Sequence, residues 1–90
     1  MVAFVVSVNG RRLCCFGVGS SGVLGAHVSW FMRPGQTGNG DLRVGGLDTA
    51  ASEHVEWIGP VEVQVGDTVT IQVVEVDIVD PPTDRYRALR

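Results

Sequence analysis

Every basic side-chain charge in this chain at pH 7 comes from one of seven arginines; lysine is absent. Arginine presents a planar fork of donors that matches carboxylate or phosphate in two bonds at once. Arg11, Arg12, Arg33 and Arg43 lie in the half of the chain that also holds Gly17-Val18-Gly19-Ser20-Ser21-Gly22. That string has the G-x-G-x-x-G form, but a dinucleotide fingerprint also needs a helix opening at its third glycine. Val23-Leu24-Gly25-Ala26 opens none, and a valine-rich segment follows. What remains is the capacity of exposed backbone N–H groups and two hydroxyls to cradle an anion. The candidate ligand-binding set is therefore Gly19, Ser20, Ser21 and Gly22 with Arg11, Arg12, Arg33 and Arg43. Trp30 or Trp57 would stack on the ring of a phosphate-bearing or nucleotide-like small ligand. Each feature also has a plainer reading: a glycine loop that joins two strands, and tryptophans that fill a core.

Catalytic chemistry finds little to work with. His27 and His54 stand at no metal-ligand spacing from each other or from a cysteine. No nucleophile elbow and no ordered nucleophile, base and orienting acid can be assembled. Cys14 and Cys15 are adjacent, and neighbours on a strand point to opposite faces, so both read as reduced thiols rather than a disulfide. Glu75, Asp77, Asp80 and Asp84 bracket Pro81-Pro82 but match no calcium loop; they read as a solvated acidic end or a docking surface for arginines. No metal, no cofactor and no enzyme activity is expected.

Ninety residues, 44% of them apolar, make one domain. The charge is unevenly laid out within its net value of −3. Residues 1–43 carry four arginines and Asp41, residues 44–84 carry acids and no base, and the last six residues carry Arg85, Arg87 and Arg90. This layout suggests self-complementarity, with Arg85, Tyr86 and Arg87 of one copy meeting Glu75 and Asp77 of another. Folding could equally mix the charges within one chain. An acidic domain lacks the basic footprint that duplex nucleic acid requires. The apolar start, Met1 to Val8, has no basic segment before it, and no apolar run approaches the length of a membrane span. A cytoplasmic protein with no membrane partner is the expectation.

The elements that must position these residues are strands. Seventeen valines and twelve glycines argue against a helical bundle. Residues 2–8 and 11–16 read as a hairpin around Asn9-Gly10, the pair that best supplies positive φ at both turn positions. A third strand spans about Ala26 to Arg33, with Val28, Trp30 and Met32 inward, and a short one spans Asp41 to Val44. Residues 47–54 read as one helical turn or an irregular crossing. His54 to Ile58 alternates, Gly59-Pro60 breaks it, and Val61, Val63 and Val65 alternate with polar residues. The last strand, Thr68 to Ile78, shifts its apolar phase, which predicts a bulge near Val73-Val74. The expected architecture is all-β: a small antiparallel sandwich or partly open barrel of six to eight strands over residues 1–80, with a basic tail over 81–90.

The strings Val44-Gly45-Gly46-Leu47-Asp48, His54-x-x-Trp57, Val65-Gly66-Asp67-x-Val69, Glu75 and Asp80-Pro81-Pro82 resemble those of a group of small uncharacterised bacterial proteins. The likeness covers a little under half of the chain and implies no chemistry. Arginine without lysine, amid valine, alanine and glycine, also suggests a GC-rich bacterial or phage genome. The sequence thus points to a non-enzymatic interaction protein that assembles with itself. A sponge for a phosphate-bearing or nucleotide-like ligand, of the kind a phage anti-defence protein would be, is the alternative. An acidic inhibitor covering a basic site on another protein is the second.

Overall fold

The structure, a computed structural model, describes residues 1–19 and 21–87. Seven strands form it: β1 (Val2–Val8), β2 (Arg11–Phe16), β3 (Gly22–Phe31), β4 (Asn39–Asp48), β5 (Glu53–Val63), β6 (Val69–Glu75) and β7 (Asp84–Arg87). They make two antiparallel sheets, ordered β2-β1-β6 and β3-β4-β5-β7, and these do not close into a barrel. No helix occurs among the described residues. The small two-sheet all-β architecture expected from the alternating valines is what the chain adopts.

The first hairpin follows local chemistry. Asn9 and Gly10 both take positive φ, 53° and 80°, which matches the twist of the strands they join. The Asn9 side chain then ties this turn to the one before β6: it donates to Asp67 and accepts from the Thr68 N–H. β1 is central and apolar on both faces. Val6, Cys14 and Phe16 face the larger sheet, where Leu42, Val44, Val55, Trp57 and Val63 complete the buried cluster. Phe16 holds the middle, 5.4 Å from the rings of both Phe4 and Trp57.

The bulge expected near Val73-Val74 is not there. β6 pairs with β1 without a break from Val69 opposite Val8 to Glu75 opposite Val2. The strand simply ends at Glu75, before Ile78: of the second apolar phase (Val74, Val76, Ile78), Val74 stays paired with Ala3 and the other two belong to the segment that leaves the strand. The bulge in this sheet lies on β2 instead: Val6 opposes Cys14 and Ser7 opposes Arg12, so Leu13 is the extra residue. Arg12 consequently shares a face with Cys15 rather than with Cys14 and Phe16.

The larger sheet departs further from the sequence pattern. β3 begins at Gly22, so part of the expected glycine loop is strand. Its expected inward set is only partly covered: Trp30 is half-buried, while Val28 and Met32 are exposed. β4 runs straight through Gly45-Gly46. Gly59-Pro60 does not end β5, because the register skips it: Val61 opposes Leu42 and Ile58 opposes Val44. A proline without an N–H is tolerated where no ladder bond is required of it. Between β4 and β5 the chain makes a single four-residue turn, capped by Asp48 Oδ1 accepting from the Ala51 N–H and closed by the Ser52 N–H on Thr49 O. Residues 84–87, read from sequence as part of a basic tail, form β7 against Glu53–Glu56.

Candidate binding surfaces

The structure disperses the ligand set drawn from sequence. Gly19, Ser21 and Gly22 line a shallow hollow with Val2, Phe4, Val18 and Leu24, and no arginine lines it among the described residues. Ser20 lies outside the described residues. Arg11 and Arg12 are on β2 in the other sheet, Arg33 follows β3, and Arg43 is on β4. Trp57 is buried against Phe16 and donates its indole N–H to Asp80 O at 2.7 Å, which removes it from any ligand face. Trp30 lies over Gly40, its cross-strand partner, beside a separate hollow without arginines among the residues lining it.

The proposed contacts between copies are also largely taken within one chain. Arg85 reaches Glu53 at 2.8 Å and Asp48 at 3.6 Å. Glu75 accepts from the amino group of Met1 at 3.0 Å, and Tyr86 stacks on His54. Asp77 is exposed, and Arg87 pairs with Glu53 along the backbone of β7. The charges segregated in sequence therefore mix in space, as they do when strands distant in the chain pair.

Asp80 is a clasp rather than a solvated acid. Its N–H donates to Cys15 O and its carboxylate accepts from the Cys15 N–H, both at 2.9 Å. The same carboxylate takes Arg12 at 3.3 Å, and the Asp80 carbonyl holds Trp57. One residue thus covers the open side of β2 and ties it to the larger sheet. Beneath it, burial pushes the Cys14 thiol up to about 11, and the nearby Asp80 carboxylate adds to the effect. Both cysteines are free and buried. At the opposite end of the sheet, the Asn9 side chain and then the Gln64 N–H hold the Asp67 carboxyl below its ordinary range.

β6 is the other edge, and it has a neighbour on one side only among the described residues. Val76 donates to Met1 O and Thr68 accepts from the Asn9 N–H, so even-numbered residues turn their backbone groups toward β1. By strand alternation the N–H and C=O of Val69, Ile71, Val73 and Glu75 point outward from the sheet. Their side chains lie on the face that carries Phe4 and Val6, where Ile71 is 42% and Val73 64% exposed.

A third surface lies on the outer face of the larger sheet. Cross-strand pairs place Gly25 opposite Gly45, flanked along the strands by His27–Arg43 on one side and Val23–Leu47 on the other. The next strands extend these rows: Glu56 lies beside Gly45, and His54 lies beside Leu47 and next to Tyr86. The result is a hollow of about 520 Å³. His54 and Tyr86 stack along its wall, ring centres 5.3 Å apart. Of the sequence-derived candidates it contains only Arg43 and Tyr86. Gly25, His27, Gly45, His54 and Glu56 were missed because no short-range spacing links them. The usable signal was a glycine in the middle of a strand, where the backbone offers no side chain to pack.

Among the described residues no group of His, Cys, Asp and Glu is placed to hold a metal ion. Nor is any helix among them long and apolar enough to cross a membrane. Comparison with known proteins gives no match: no family model, no curated protein and no solved structure aligns with the chain.

Proposed function

We propose that this protein works by binding rather than by turnover, as a homodimer in which two copies pair their β6 strands into one continuous six-stranded sheet. The observation that carries this is the composition of β6 in its register. Val69-Thr70-Ile71-Gln72-Val73-Val74-Glu75 has no charge before its last residue, no proline and no bulge. Natural sheets usually protect such an edge with lysine, proline or a twist, because its unpaired backbone groups otherwise recruit a strand.

A second copy is the occupant that fits. Antiparallel pairing about Gln72 sets Ile71 opposite Val73 of the other copy and Val69 opposite Glu75. The outward backbone groups of Val69, Ile71, Val73 and Glu75 are then the ones that meet. Ile71 and Val73 of both copies form one apolar stripe of β-branched cross-strand pairs. No two acids oppose each other. The contact is isologous, so it closes as a dimer instead of growing into a fibre.

Solution mass by light scattering tests the reading. The chain has a mass of 9.6 kDa, and the expected species has twice that. Val73→Lys should weaken association at least about tenfold, or about 1.4 kcal/mol, with the circular dichroism of the fold retained. A single-chain mass at all protein and salt concentrations would overturn the proposal. So would a dimer that Val73→Lys leaves intact.

A further inference from the structure

We infer that the glycine-floored hollow on the outer face of the larger sheet binds a planar heteroaromatic ring carrying an anionic group. The floor is the Gly25–Gly45 pair, where two facing strands present bare backbone. A side chain at position 45 would meet Val55 O at 2.7 Å, so the floor at that point stays open. Over Gly25 the structure already holds a flat ring. The His27 imidazole folds back so that its Nε2 lies 3.0 Å from where a Cβ would stand. The floor therefore accepts a heteroaromatic ring against the backbone, and the one it holds belongs to a solvent-exposed side chain that can move aside.

The walls assign the rest of the ligand. Val23 and His27 lie four residues apart along β3, about 13 Å, which leaves room for a ring system between them. One wall is apolar and aromatic: Val23, Leu47, and His54 backed by Tyr86. The opposite wall carries Arg43, whose fork is only loosely engaged by Asp41, at 3.7 Å. An anionic substituent on the ring can replace that contact with a two-bond pairing. Glu56 closes the third side and suits a ring N–H or amino group. The volume is in the range of small-ligand sites. This site is on the opposite face of the larger sheet from the core and involves no residue of β6, so it stands independently of the dimer.

His27 and His54 are the only histidines of the chain, and both line the hollow, which gives a selective readout. Imidazole NMR signals of the full chain are followed against adenosine 5′-monophosphate, nicotinate and indole-3-carboxylate. The neutral counterparts adenosine, nicotinamide and indole run in parallel. The expected result is saturable movement of both histidine signals by at least one anion, at least about tenfold tighter than by its neutral counterpart. Arg43→Ala should erase that difference. Gly25→Leu should abolish binding while the fold persists, because the atoms nearest to a Cβ there belong to the movable His27 ring rather than to backbone. Histidine signals unmoved by all three anions would overturn the proposal, as would neutral compounds binding equally well or binding that survives Gly25→Leu.

Discussion

β2 and β6 flank the same central strand, yet their free sides are built differently. β2 carries Arg11 and Arg12, a bulge at Leu13, and Asp80 clasped onto the backbone of Cys15. β6 keeps an unbroken register, uncharged up to Glu75, and leaves Ile71 and Val73 uncovered. Both strands began as apolar segments of one sheet, so the difference is not one of core demand. The side of β2 is closed by its own chain, and the side of β6 is left in a form that matches itself. An edge can thus be retired by a local clasp or kept as an interface, and this sheet does one on each side.

Breaking the clasp should have the largest effect. Asp80→Ala leaves the Cys15 N–H without its acceptor and Arg12 without its partner. A partly buried donor stranded in this way costs about 1–3 kcal/mol, a large share of the stability of a chain this short. Urea unfolding measures it, and an unchanged midpoint would show that the clasp contributes nothing. On the other edge, Gln72→Cys sharpens the proposed register. Gln72 faces itself across the two-fold axis as a non-hydrogen-bonded pair, with Cα atoms about 4.5 Å apart, within disulfide reach. Mild oxidation should crosslink the variant into dimers on a non-reducing gel, whereas Thr70→Cys should crosslink far less.

The smallest effect concerns the thiol beneath the clasp. Cys14 titrates at about 11 in the folded protein against 9.0 for the free side chain, chiefly because it is buried. The folded state therefore holds that proton more tightly than the unfolded chain does. This contribution to stability is complete below about pH 9 and declines as the pH rises toward 11. Cys14→Ala should lack that part of the alkaline decline, which unfolding curves taken on both sides of pH 9 would reveal. Alkylation of Cys14 near pH 8 should be slow for the same reason.

Much of the fold was legible in the residues. Asn9-Gly10 dictated a hairpin turn because few other pairs take positive φ twice at low cost. The β-branched run Val2–Val8, apolar on both faces, marked a central strand; of the alternating set Val61, Val63 and Val65, the first two lie in β5, whereas Val65 stands 86% exposed in the turn that follows. Where local pattern and long-range pairing compete, the sequence misled. Val74, Val76 and Ile78 mimic a strand with a phase slip, but Val76 donates to Met1 O and the chain then turns away to place Asp80 on Cys15. Gly59-Pro60 looks like a terminator and becomes a skipped step in the register of β5.

The amino-acid sequence by itself determined an all-β chain, its first turn and a sparse set of arginine cations, because these follow from φ preferences, alternation and composition. Only the tertiary structure decided what those groups meet. Arg12 and Asp80 are 68 residues apart, and Arg85 and Glu53 are 32 apart. The hollow draws Gly25, Arg43, His54 and Tyr86 from four strands. Contacts of this kind are set by which strands become neighbours and in what register, a choice made by burial of the whole chain rather than by any segment of it.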